Sequence, residues 1–252
     1  MTRTTGARVV LALLTAAAFA VLISLGVWQL QRLAWKEALI AAATERPTLP
    51  AIAAPGPDIW SDFSLDDWNY RRIRLTGTFG PGEAYAWTNL SEPRGGDYAG
   101  AGYFVVAPFT TTDGWSVLVN RGFVPDGQQA PGTRPGSGPV AGVVTVEGLI
   151  RRNDPPNFVT PAPDLETMVW FSRDIPGMMA AFDRDPARTA PYSVDLVAAE
   201  TPAGGLPQAG ESHISFANSH LQYALTWFGL AAALVGVVIA ALWRRRRKSP
   251  EA

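Results

Sequence analysis

The 252-residue chain contains no cysteine. That one absence excludes disulfides, c-type haem attachment, iron–sulfur ligation and paired-thiol copper sites together. Histidine is nearly as scarce, with only His213 and His220. A Ser-His-Asp site would need residues from distant segments and no Gly-x-Ser-x-Gly elbow occurs, so no hydrolase is expected. Lysine is limited to Lys36 and Lys248 against 19 arginines, and the first apolar run begins at residue 9, so no mitochondrial transit peptide is expected. A bacterial cytoplasmic (inner) membrane is favoured.

Long apolar runs are missing from the whole stretch between residues 30 and 221, and both lie outside it. Residues 9–30 (VVLALLTAAAFAVLISLGVWQL) and 221–243 (LQYALTWFGLAAALVGVVIAALW) carry no charge. Each is long enough for a hydrocarbon core of ~30 Å at ~1.5 Å per residue. Arg3 and Arg8 precede the first run, and Arg244 to Arg247 with Lys248 follow the second. Between residues 44 and 213 there are 12 basic and 20 acidic residues. Short arginine-rich flanks stay cytoplasmic, so both termini are expected inside and the middle outside. Cleavage of the first run as a signal peptide is not expected, because it ends in WQLQRLAWK rather than small residues.

The expected organisation is therefore a cytoplasmic terminus at 1–8, a span at 9–30, a helical extension at 31–44, and an exported β-rich domain at 45–213. A juxtamembrane stretch at 214–220, a second span at 221–243 and a basic tail at 244–252 complete the chain. Gln31 to Thr44 keeps helical spacing until prolines from Pro47 onward end it. In the middle, residues 71–79 (RRIRLTGTF) alternate apolar and polar with period two, a half-buried strand. Further strands are expected at 103–109, 115–119, 143–150, 168–171 and 192–197, with a hairpin turn at Asp113-Gly114. Residues 125–139 and 154–163 read as loops, and 175–183 as one short helix. The fold class is a membrane protein whose two transmembrane helices flank a mainly antiparallel α+β domain, a sheet or small partly open barrel. Such a domain is large enough to bury a core without disulfides.

His220 falls where the second span meets the outer water. His220, Tyr223 and Trp227 are spaced 0, 3 and 7 and share a helical face, one suited to a flat aromatic ligand with an axial nitrogen. Tyr and Trp there also form the ordinary interfacial aromatic belt. At the matching end of the first span, Trp28, Arg32 and Trp35 share a face, and Arg32 calls for a local anion or headgroup. Small residues recur at Ala12, Ala16, Ala20 and Ser24, and at Ala232, Gly236 and Ala240, which permits close helix approach. In the domain, Asn120, Arg121 and Gly122 read as a polar turn, with Arg121 neutralising an acidic surface. His213 reads as a loop residue, and Met178-Met179 as core packing rather than a copper site.

GVWQLQRLAWK after the first span, GYFVVAPF at 102–109, VLVNRGFVP at 117–125, VEGLIR at 146–151 and NSHLQYALTWFGLA at 218–231 occur in one order along nearly the whole chain. That set resembles the Surfeit locus protein 1 family of cytochrome c oxidase assembly factors. The resemblance implies a non-enzymatic role in respiratory-chain biogenesis: binding haem a as cargo and assisting its insertion into oxidase subunit I. It makes His220 the candidate axial ligand of the haem iron. Tyr223, Trp227, Trp28, Arg32 and Trp35 are then candidates to stack on the ring or pair its propionates. The partners implied are subunit I of a haem–copper oxidase, haem a synthase and membrane lipid, with no nucleic acid. The competing reading is a scaffold that stabilises a subunit I intermediate and never holds haem.

Overall fold

The computed structural model describes residues 2–136, 141–212 and 218–247. His213 lies outside the described residues. The chain forms two compact units, one of two long helices and one of the residues between them.

Helix α1 is one unbroken run, Thr2–Glu45, about 66 Å long at ~1.5 Å per residue. The helix runs on without a break through residues 31–44. It ends in a 3-10 turn at Arg46–Thr48, where Pro47 can continue no α-helical hydrogen bond. Two short helices, α2 (Leu65–Trp68) and α3 (Ile175–Ala181), precede the second long one, α4, His220–Arg247. Both α1 and α4 are long and apolar enough to cross a membrane. Two hydroxyls inside the spans are satisfied by their own helix: Thr15 donates to the Leu11 carbonyl at 2.8 Å and Thr226 to that of Gln222 at 2.9 Å.

The middle unit is a sheet of eight strands: β1 Ile52–Ala53, β2 Arg72–Phe79, β3 Ala84–Leu90, β4 Gly100–Thr111, β5 Ser116–Pro125, β6 Val144–Arg152, β7 Val169–Trp170 and β8 Thr189–Leu196. Five of them close into a barrel in the order β2-β6-β8-β5-β4, with β4 returning to β2 through Gly77↔Thr111, Thr78↔Thr110 and Phe79↔Phe109. The expected partly open barrel is thus closed. β1 adds to β2, and β3 with β7 extends from β4. Most pairings are antiparallel, but β8 runs parallel to β5.

The alternation expected in β2 is observed: Ile73, Leu75 and Gly77 are buried while Arg74, Thr76 and Thr78 are exposed. Gly77 is what lets the barrel shut. A Cβ there would come within 2.1 Å of the Thr110 carbonyl oxygen, so only glycine allows β4 to approach. The interior is filled by Ile73, Phe109, Val117, Val119, Ile150, Tyr192 and Val194. Trp60, Phe63 and Trp68 pack against that core, and Phe63 meets Tyr192 at 5.2 Å between ring centroids. Outside β4 and β5, α3 adds a second core in which Met178 and Met179 are buried, as expected.

Two expectations change. β1 and β3 lie outside the six expected strands, so the sheet has eight. Asn120, Arg121 and Gly122 are not a turn but the middle of β5. The ladder shifts between Val105 and Val106, which face Gly122 and Asn120, so Arg121 is the extra residue of a β-bulge. Gly122 takes φ +131°, and a Cβ on it would meet the Gln208 backbone at 2.3 Å. The polar, glycine-containing run mimics a turn because a bulge needs the same residue types.

Candidate functional site

The two long helices pack antiparallel. On α1 the contact runs through Gly26 and Gln29, both buried. Gly26 faces Phe228, whose ring lies 2.5 Å from where a Cβ would stand, and Ala224 and Ala231 are buried on α4. Close approach therefore rests on Gly26, Ala224 and Ala231. The small-residue rows expected to do this do not: Ala12, Ala16, Ala20, Ser24, Ala232, Gly236 and Ala240 are all exposed, and a Cβ on Gly236 meets nothing.

At the end of this pair that carries His220, its Nδ1 lies 2.7 Å from Gln29 Oε1, and Gln29 is only 8% exposed. With the amide oxygen accepting, Nδ1 carries the proton and Nε2 keeps its lone pair. A carbonyl-type oxygen on one ring nitrogen is how proteins orient a histidine whose other nitrogen ligates a metal. The remaining expected residues divide. Trp28 and Trp35 are half exposed, as is Arg32, whose guanidinium sits 4.5 Å from the Trp35 ring centroid. That face exists as expected, but it adjoins the helix contact rather than forming it. Trp227 is half-buried, whereas Tyr223 is 54% exposed and turned away from the contact. The 0, 3, 7 face of His220, Tyr223 and Trp227 is therefore split.

The other candidate residues brace the barrel. Asp195 on β8 is the hub of one cluster. Arg173 Nη1 donates to its Oδ1 at 2.6 Å, Asn120 Nδ2 at 3.1 Å, and Ser212 Oγ donates to Oδ2 at 2.7 Å, with Arg151 at 3.4 Å. Burial pushes the Asp195 carboxyl up, but the Arg173 and Arg151 charges and these hydrogen bonds outweigh it and hold it at about 2. Asn120 Oδ1 also accepts from the Gly122 N–H at 3.0 Å, pinning the bulge. In the second cluster Arg121, 5% exposed, donates to Glu83 Oε1 at 2.6 Å, and Arg134 donates to Glu83 Oε2. Arg121 is thus buried against a carboxylate, not spread over an acidic surface. Burial lowers its pKa and Glu83 offsets part of that; burial and Glu83 also raise Tyr85. Through these two carboxylates β3, β5, β6 and β8 are tied to one another and to the segments beside them. No group of three metal-ligating side chains occurs among the described residues.

Gln29, Glu83, Arg134 and Asp195 escaped the sequence reading. Only Gln29 carried a signal, being an amide inside an apolar run that must find a partner.

Two helices long and apolar enough to cross a membrane, flanking in sequence a closed β-barrel, define a membrane protein with an α+β domain. The SURF1 family model matches residues 16–232. The chain is 33% identical over 238 residues to Surfeit locus protein 1 of Rattus norvegicus, covering 90% of this chain and 72% of that one. It is 33% identical over 220 residues to the Homo sapiens protein of the same name (83% and 70%) and 32% identical over 230 residues to a SURF1-like protein of Monosiga brevicollis (87% and 80%). The chain belongs to the SURF1 family.

Proposed function

We propose that this protein is a non-enzymatic assembly factor for a haem–copper terminal oxidase, holding haem a as cargo and assisting its insertion into subunit I. It works in a bacterial cytoplasmic membrane with the arginine-bearing helix ends inside and the barrel outside. The observation that carries the reading is the 2.7 Å bond from His220 Nδ1 to Gln29 Oε1, which presents Nε2 as an axial ligand. Arg32, braced on Trp35, is the candidate partner for a propionate, and Trp227 the candidate for ring contact. Trp28 and Tyr223, on exposed faces, serve as interfacial anchors.

The test is to co-express the chain with haem a synthesis enzymes and purify wild type and His220→Ala. Wild type should show a Soret band with the red-shifted haem a signal, and the variant should lose most of it. Equal retention sinks the ligand assignment. One observation favours the scaffold reading instead: the same bond is a staple between two helices, of a kind membrane proteins use without any ligand. Haem-free wild type that still co-purifies with subunit I would decide for it.

A further inference from the structure

We propose that the helix pair binds one anionic phospholipid at its arginine-bearing end, an acyl chain lying between α1 and α4 and the phosphate paired with arginines at the mouth. This is independent of any haem bound near His220. Away from Gln29 and His220 the helices leave an open groove of about 450 Å³. Leu11, Ala12, Phe19, Leu234, Val238 and Leu242 line it. Its one polar side chain is Thr15, whose hydroxyl is already spent on the Leu11 carbonyl. Nothing in the groove asks for a polar occupant.

What stands at its mouth is different. Arg8 lies one helical turn before Leu11, and Arg244, Arg245, Arg246 and Arg247 follow Leu242 directly after Trp243. α4 remains helical through Arg247, so these arginines occupy a full turn just past the groove. Basic clusters at a span's cytoplasmic end attract anionic headgroups at about tenfold or more in affinity for two or more charges. The volume is that of a small-ligand site, roughly 300–1,000 Å³. An apolar slot beside a run of arginines is complementary to an acyl chain that ends in a phosphate.

The experiment uses the full-length protein, reconstituted in bilayers of equal phosphatidylglycerol and phosphatidylcholine, released into detergent and weighed by native mass spectrometry. Wild type should retain phosphatidylglycerol over phosphatidylcholine by about tenfold. Ala12→Leu with Ala16→Leu fills the groove and keeps every arginine; retained phosphatidylglycerol should fall severalfold. Replacing Arg244 to Arg247 by Gln keeps the groove and should abolish the preference between the two lipids. Equal retention of both lipids by wild type overturns the proposal. So does a groove-filled variant that holds as much phosphatidylglycerol as wild type, or displacement of the lipid by excess inorganic phosphate. Far-UV circular dichroism on each variant separates lost binding from lost helix.

Discussion

The barrel and the helix pair treat polar side chains in opposite ways. Inside the barrel unit, carboxylates are shared: Asp195 serves Asn120, Arg151, Arg173 and Ser212, and Glu83 serves Arg121, Arg134 and Tyr85. Between the helices Gln29 and His220 form a polar bridge beside the apolar contact of Gly26 with Phe228. A cluster with every lone pair engaged is a fastening, because losing one member strands a charge. A lone bridge is not needed to hold two helices that already pack through Gly26 and Phe228, and it leaves one ring nitrogen uncommitted. Function is therefore sought where the polar chemistry is sparse.

That contrast breaks first at Asp195. Asp195→Ala leaves Arg151 and Arg173 without their buried counter-ion and should cost about 3–5 kcal/mol, read as a large fall in Tm by near-UV circular dichroism. Because the folded pKa of Asp195 lies at about 2, below its ordinary value of 3.8, its contribution is full above that ordinary value and is lost as pH falls toward 2. Wild-type stability should drop through that window, and a variant lacking Asp195 should drop less. Next is Gly77→Val, which collides with the β4 backbone and should cost about 1–3 kcal/mol by forcing the barrel seam apart; faster amide exchange in residues 77–79 and 109–111 is the check. Gln29→Leu should change unfolding by less than about 1 kcal/mol yet weaken haem retention about 10–100-fold. A variant that unfolds but keeps haem would reverse the assignment of bridge and fastening. Smallest is Phe158→Ser, a fully exposed side chain, expected within about 0.5 kcal/mol of wild type by thermal unfolding.

Much of the frame was legible because hydropathy acts locally. The two spans, the helical run beyond the first, the alternating β2 and the Asp113-Gly114 hairpin all follow from neighbours in sequence, and Gly114 does take φ +83°. His220 was legible as a candidate from its place at the end of a span. What it bonds to was not, since Gln29 is 191 residues away and only packing brings the pair together. β3 (AYAWTNL) was invisible because it lies outside the closed barrel and its burial does not alternate. The small-residue rows misled because an exposed alanine facing lipid and a buried one facing a helix look alike in sequence.

The place of β8 in the barrel has a consequence for biosynthesis. The last strand to be made lies in the middle, between β6 and β5. Until it arrives, those two strands present unpaired edges, and the cylinder cannot close however long the earlier segments wait. As the chain leaves the ribosome, the barrel thus finishes only when almost all of its sequence has emerged, shortly before α4 is made. A ribosome-stalled or truncated product ending before Thr189 is an open sheet with two sticky margins, a substrate for proteases rather than a working half.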